Sequence, residues 1–329
     1  MSMSGAAAAG SIEQHQLMRL GERVLVACAF AVSIAMFVTL GWWASAPEDP
    51  LGAVSFLAHP QPWWMLMQLI GLSAVSATVS TLIGGRRVPE LGTLTTCVGL
   101  AALSLRGAPA SAMLLGSTDA TQGSVASLGM NLALDTVVWF GVVLVAFVVS
   151  AAVESWCFGP RADSMEADRE GTGIGHKPGS MDHASHTSPL GMIPAGDAGG
   201  RLYTVRSIVI TSVIAVVALT LLAAGLSNRS IQHGQAIFLV AAAYWVAMSL
   251  TLHIAPSKLA FGPLVSVVLV AVGGYLWTSL RGSAAGPAPI PSTHFLRILP
   301  LQFVSIGCAM VLHKLGTIRA SPLVEERRP

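Results

Sequence analysis

Apolar and polar positions in this chain come in blocks, not in a short alternation. Long apolar runs recur, each wide enough to read as a buried or lipid-facing helix. They extend over Val24–Trp43, Trp64–Ile83, Leu91–Leu105 and Leu134–Cys157. One long polar segment, Phe158 to Thr204, follows. Four more runs come after it: Ser207–Leu226, Ala236–His253, Leu259–Leu280 and Phe295–Leu315. A helix needs about 20 apolar residues to cross a bilayer core. Most of these runs meet that length. Leu91–Leu105 covers only about 22 Å at 1.5 Å per residue. It spans if residues 88–90 dip in, and is otherwise a re-entrant hairpin. The last run is interrupted by Arg297, Pro300, Gln302 and His313.

The pattern predicts an all-α, polytopic integral membrane protein with eight transmembrane helices. Its parts are a short polar N-terminal segment (1–21), a four-helix block (22–157), a polar loop (158–204), a second four-helix block (205–316) and a tail (317–329). Composition agrees. Hydrophobic residues make up 53% and charged residues only 10%, where a soluble chain carries about a quarter charged. The bilayer is the expected partner. The net charge of +2 and the lack of a basic stripe give no reason to expect nucleic-acid binding. The four cysteines lie in or beside apolar runs without a C-x-x-C, as small buried hydrophobes do.

Punctuation supports the boundaries. Pro47-Glu48-Asp49-Pro50 is an acidic turn, and Trp42, Trp43, Trp63 and Trp64 flank the loop that contains it. Tryptophan favours the headgroup level, so these rings mark one membrane face. Ala44-Ser45-Ala46 has the form of a signal-peptidase site, but the preceding run is long for a signal sequence and Pro47 follows. The first run is therefore expected to stay as a helix.

Charge sets the orientation. With eight spans and a cytoplasmic N-terminus, fourteen of the 18 Lys and Arg residues fall on the inner side. Arg106, Arg229, Arg281 and Arg297 fall outside. That matches the positive-inside bias. Removing the third span would destroy it. The composition points to a bacterial inner membrane with both termini and the polar loop in the cytoplasm.

The two blocks also match in plan. Each has four runs, and the second and third are joined by a basic turn containing proline, Gly84–Pro89 and Ala255–Lys258. Each third run ends in Ser-Leu-Arg-Gly, at 104–107 and again at 279–282. An even number of spans per block gives the copies the same orientation, as parallel repeats have.

Chemistry is sparse. Ionisable groups cost several kcal/mol inside hydrocarbon unless paired or wet, and here they sit at the ends of runs. Asp135 and Arg297 begin the fourth and eighth runs; Glu154 and Lys314 end them. If those helices are neighbours, Asp135–Arg297 and Glu154–Lys314 form a clamp between the blocks. Otherwise each charge snorkels to the headgroups. Gln68, Trp245 and Gln302 are the plausible lining of a solute path, or else serve inter-helix bonding and packing. His233, His253, His294 and His313 could be read as haem ligands, but same-helix pairs lie about 30 Å apart at 20 residues. No haem is expected.

In the polar loop, His176, Met181, His183 and His186 form a run with the soft and borderline ligands that suit copper. It resembles the Met/His-rich tracts of bacterial copper-resistance proteins, and that resemblance implies metal binding. Such tracts face the periplasm, whereas the charge pattern puts this one inside, so a solvated loop is expected instead. No cofactor is expected. No nucleophile elbow, H-E-x-x-H, P-loop or dinucleotide fingerprint occurs. Two roles remain. One is a non-catalytic anchor, scaffold or accessory subunit working with other membrane subunits. The other is a permease or channel for a small uncharged solute at the interface of the repeats.

Overall fold

The computed structural model describes residues 21, 23–47, 54–57, 59–84, 90–107, 123–158, 198–225, 233–254, 261–282, 296 and 298–320. Among them are eight helices and no strand. They are α1 (Arg23–Ser45), α2 (Pro62–Gly84), α3 (Leu91–Ser104), α4 (Gly123–Phe158), α5 (Ala198–Gly225), α6 (His233–Ile254), α7 (Phe261–Gly282) and α8 (Pro300–Ala320).

Local chemistry explains most boundaries. α1 stops before Pro47, because a residue preceding proline is pushed out of the α region; Ala46 has ψ 124°. Pro62 and Pro300 each occupy the first position of a helix, where the missing N–H would have had no partner. Pro300 therefore opens α8 and does not interrupt it. The helix runs from 300 to 320, five residues later at both ends than the apolar run. α4 starts at Gly123, eleven residues before the apolar run, and continues for 36 residues. At 1.5 Å per residue that is about 54 Å, well beyond a bilayer core of about 30 Å. α5 likewise begins at Ala198, inside the stretch read as polar loop.

Six helices, α1, α2 and α4 to α7, are long and apolar enough to cross a membrane by length and composition. α3 and α8 are not among them, and burial explains both. Ten of the 14 residues of α3 are buried, and residues 301–309 of α8 are buried without a break. These helices face protein, not lipid. They can be short or polar because neighbouring helices satisfy them.

The neighbours follow a simple plan. α3, α4, α7 and α8 form the interior, through the pairs α3–α4, α4–α7, α7–α8, α3–α8 and α4–α8. α2 packs on α3 and α4, α6 on α8, and α5 on α6 and α7. α1 lies against α2 and α3. One hydrophobic cluster draws on all eight helices, from Phe37 through Leu69, Leu100, Trp139, Leu219, Tyr244 and Tyr275 to Phe303.

Glycine sets the closest approaches. A Cβ on Gly92 would stand 2.5 Å from the Ala77 carbonyl oxygen, so α2 and α3 meet backbone to backbone there. A Cβ on Gly99 would run into Phe37 and Ser33 of α1. One turn of α1, Phe37–Gly41, is a π-helix. Arg106 donates from Nη1 to the Val38 carbonyl oxygen in that turn at 2.7 Å, with its guanidinium 5.0 Å from the Trp42 ring centroid. A cation over tryptophan is a favourable partner at a membrane surface.

Candidate functional site

The polar groups inside the bundle fall into two kinds. Hydroxyls stitch helices within a block. Ser33 on α1 pairs with Ser76 on α2 at 2.8 Å and donates to the Thr95 carbonyl oxygen on α3. Thr93 on α3 donates to Ser150 on α4 at 3.3 Å. Thr211 on α5 donates to Thr251 on α6 at 3.1 Å. Such bonds are the usual inter-helix connection where lipid supplies no hydrophobic drive. The apolar pattern hid them, because single hydroxyls within a long apolar run leave its length and hydropathy almost unchanged.

The second kind sits where segments between helices fold back. Asp135, twelve residues into α4 and at the start of its apolar run, is fully buried. Its Oδ1 accepts the Phe56 N–H at 2.8 Å, which ties the segment ahead of α2 to α4. Ser55, Leu57 and Trp139 surround the same carboxyl. Its Oδ2 and the Trp139 Nε1 make no hydrogen bond. Arg297, the expected partner of Asp135, lies outside the described residues. The next residue, Ile298, accepts the Tyr275 hydroxyl at 2.6 Å, so this segment is held on α7.

Gln302 is buried at the start of α8 and has two partners. Its Oε1 accepts the Leu299 N–H at 3.4 Å, and its Nε2 lies 2.6 Å from Nδ1 of His233. His233 Nε2 is 2.9 Å from the Gly107 carbonyl oxygen. A carbonyl can only accept and an amide N–H can only donate. The ring therefore carries its hydrogen on Nε2 and accepts at Nδ1. His233 joins the end of α3, in the first block, to the starts of α6 and α8 in the second. Its position at the first residue of α6 gave no sign of this in the sequence.

Gln68 is half-buried on α2, and Trp245 is half-exposed on α6. The Lys314 ammonium lies 4.0 Å from the Trp245 ring centroid. This joins a residue expected in a clamp to one expected in a solute path. Gln302 and Lys314 are twelve residues apart on α8, about 18 Å along its axis. Glu154 is half-buried on α4. His253 bonds through Nδ1 to the Ser249 carbonyl oxygen of its own helix, and His313 is exposed. Among the described residues no three His, Cys, Asp or Glu side chains converge as a metal site requires. His176, Met181, His183, His186 and His294 lie outside the described residues.

A groove of about 650 Å³ opens between α5 and α7. Valines and Ser212 of α5 line it, with Leu269, Gly273, Gly274 and Trp277 of α7. It carries no charged side chain.

All-helical architecture, six apolar helices of spanning length and this inward-facing hydroxyl network define a membrane-embedded helical protein. No protein-family model, curated protein or solved structure matches the chain.

Proposed function

We propose that this chain is a non-catalytic subunit of a bacterial inner-membrane assembly, an anchor or scaffold built by duplicating a four-helix unit. The observation that carries this reading is the filled seam between the blocks. The buried cluster runs without a break from Leu100 and Cys97 of the first block to Phe303 and Cys308 of the second. Transporters keep a polar site near the midplane between their repeats, and apolar side chains occupy that place here.

Several observations support the duplication. Adding four to each helix number converts α1–α2, α1–α3, α2–α4 and α3–α4 into α5–α6, α5–α7, α6–α8 and α7–α8, all of which pack. The cross-block pairs α4–α7 and α3–α8 exchange, and α4–α8 maps on itself. The close α2–α3 contact has no equal in the second block. The Ser-Leu-Arg-Gly runs are 175 positions apart, and so are Ser76 and Thr251, whose hydroxyls bridge the first and second helices of their blocks. Gly99 and Gly274 share the same spacing. An axis along the membrane normal between α4 and α8 would relate the copies.

On this plan Asp135 and Arg297 form the proposed clamp at the outer face. At the inner face Lys314 rests on Trp245. The tails and the polar loop are cytoplasmic, following the positive charges.

A permease reading would draw on the buried polar atoms that lack partners, Asp135 Oδ2 and the Tyr244 hydroxyl among them. Reconstitution separates the two. Proteoliposomes containing the full chain should show no faster shrinkage in glycerol or urea gradients than empty vesicles. Solute flux that Gln302→Leu abolishes would overturn the scaffold reading.

A further inference from the structure

Of the four cysteines, Cys28 and Cys157 are exposed, whereas Cys97 and Cys308 are fully buried. The buried two stand on α3 and α8, one in each block. They are 211 positions apart in the chain. Their sulfurs nevertheless lie near enough for a charge on one to act on the other.

Depth brings them together. His233 ties Gly107, just past the end of α3, to Gln302 at the start of α8, so the two helices run antiparallel from a common level. Counted from those ends, Cys97 lies seven residues into α3 and Cys308 eight residues into α8. At the helical rise these are about 10 and 12 Å.

Direction does the same. α3, α4 and α8 pack pairwise and enclose a three-sided interior. The other faces of α3 are occupied, by α2 at Gly92 and Thr96 and by α1 at Gly99. Thr93 bonds Ser150 of α4, and Cys97, one turn on, turns between α4 and α8. On α8, Phe303 and Gly307 meet Tyr244 of α6, and Gly307 also meets Val267 of α7. At about 100° per residue, Cys308 is turned about 140° from Phe303 and about 100° from Gly307. That directs it at α3 and α4.

The surroundings limit what two thiols can do. Both belong to the apolar cluster. A metal would need thiolates, and a charge in such surroundings is costly. A dithiol and a disulfide are both uncharged.

We propose that Cys97 and Cys308 form a disulfide that locks the two blocks across their seam, made by a membrane quinone during assembly. α8 follows α3 in the chain, so the face of α3 that bears Cys97 stays uncovered until α8 docks. A quinone dissolved in the bilayer reaches both thiols at that stage. Both S–H bonds break and one S–S bond forms. The two protons and two electrons convert the quinone to its hydroquinone. Once α8 has closed on α3, the buried bond is out of reach of the water-soluble thiolates that reverse such bonds. A link between residues so far apart in the chain constrains the unfolded state strongly. The proposal needs neither the duplication nor the scaffold reading.

The test uses the full chain in its own membranes, with Cys28→Ser, Cys157→Ser and a thrombin site inserted in the polar loop. N-ethylmaleimide is present from lysis through denaturation, so that every free thiol is capped. After thrombin cleavage the two blocks should run as one band on a non-reducing denaturing gel and separate on reduction. The intact chain should be two hydrogens lighter than the dithiol and carry no maleimide. Cys97→Ala, and independently Cys308→Ala, should each free the blocks without reductant. In cells unable to make quinone, both thiols should be capped and the blocks separate. Blocks that separate without reductant in quinone-containing cells, a joined band that survives either alanine variant, or equal joining without quinone overturns the proposal. So does a native mass showing a copper(I) ion held by the two thiols.

Discussion

Asp135 and His233 show what single residues contribute to a bundle that lipid does not drive together. Each holds a segment outside the helices onto the interior. Removing the carboxyl leaves the buried Phe56 N–H without an acceptor, and an unsatisfied buried donor costs about 1–3 kcal/mol. Asp135→Ala should therefore lower thermal stability in detergent by that amount, while Asp135→Asn, which keeps an acceptor oxygen, should lose less. The His233–Gln302 bond makes a sharper claim. A double-mutant cycle with His233→Ala and Gln302→Leu should give a coupling of about 0.6 kcal/mol and at most about 1.7, the range found for hydrogen bonds between membrane helices. Complete additivity would mean that the bond contributes nothing. Asp135 stood out in the sequence as an ionisable group in an apolar run, but its acceptor role did not. The partner is a backbone N–H 79 positions away, and no side-chain pattern records the folding of a connecting segment.

The eight helices themselves were legible, because lipid imposes a length and a composition on whatever faces it. Where a helix faces protein that constraint lapses, and there the reading was least sharp. α3 was doubtful on length and is buried by its neighbours. α8 was the weakest run, and Gln302, one of the residues that weakened it, is bonded inside the bundle. The early starts of α4 and α5 were missed because their first turns lie beyond the apolar run and carry no periodic signal. Glycines discriminate between these environments. Gly92→Val and Gly99→Leu should prevent α3 from packing and reduce the yield of folded protein to near nothing, since each side chain would meet a carbonyl or a buried ring. Gly71→Ala, with nothing within 4 Å of its Cβ, should leave yield and melting temperature unchanged. Equal damage from Gly71→Ala would contradict the packing described.

For the whole molecule the central claim is two same-way-up blocks of four helices with the polar loop between them on the cytoplasmic side. The exchange of α4–α7 with α3–α8 follows from that arrangement, and so does the sorting of charge. Membrane-impermeant thiol labelling of intact cells tests it most directly, using versions of the full chain in which the exposed Cys28 and Cys157 are replaced, the buried Cys97 and Cys308 are kept, and one cysteine is added. His59→Cys, ahead of α2, should label from outside. Ser185→Cys, in the polar loop, should label only after the membrane is opened. Labelling of position 185 in intact cells would place that loop outside and contradict both the orientation and the paired-block plan.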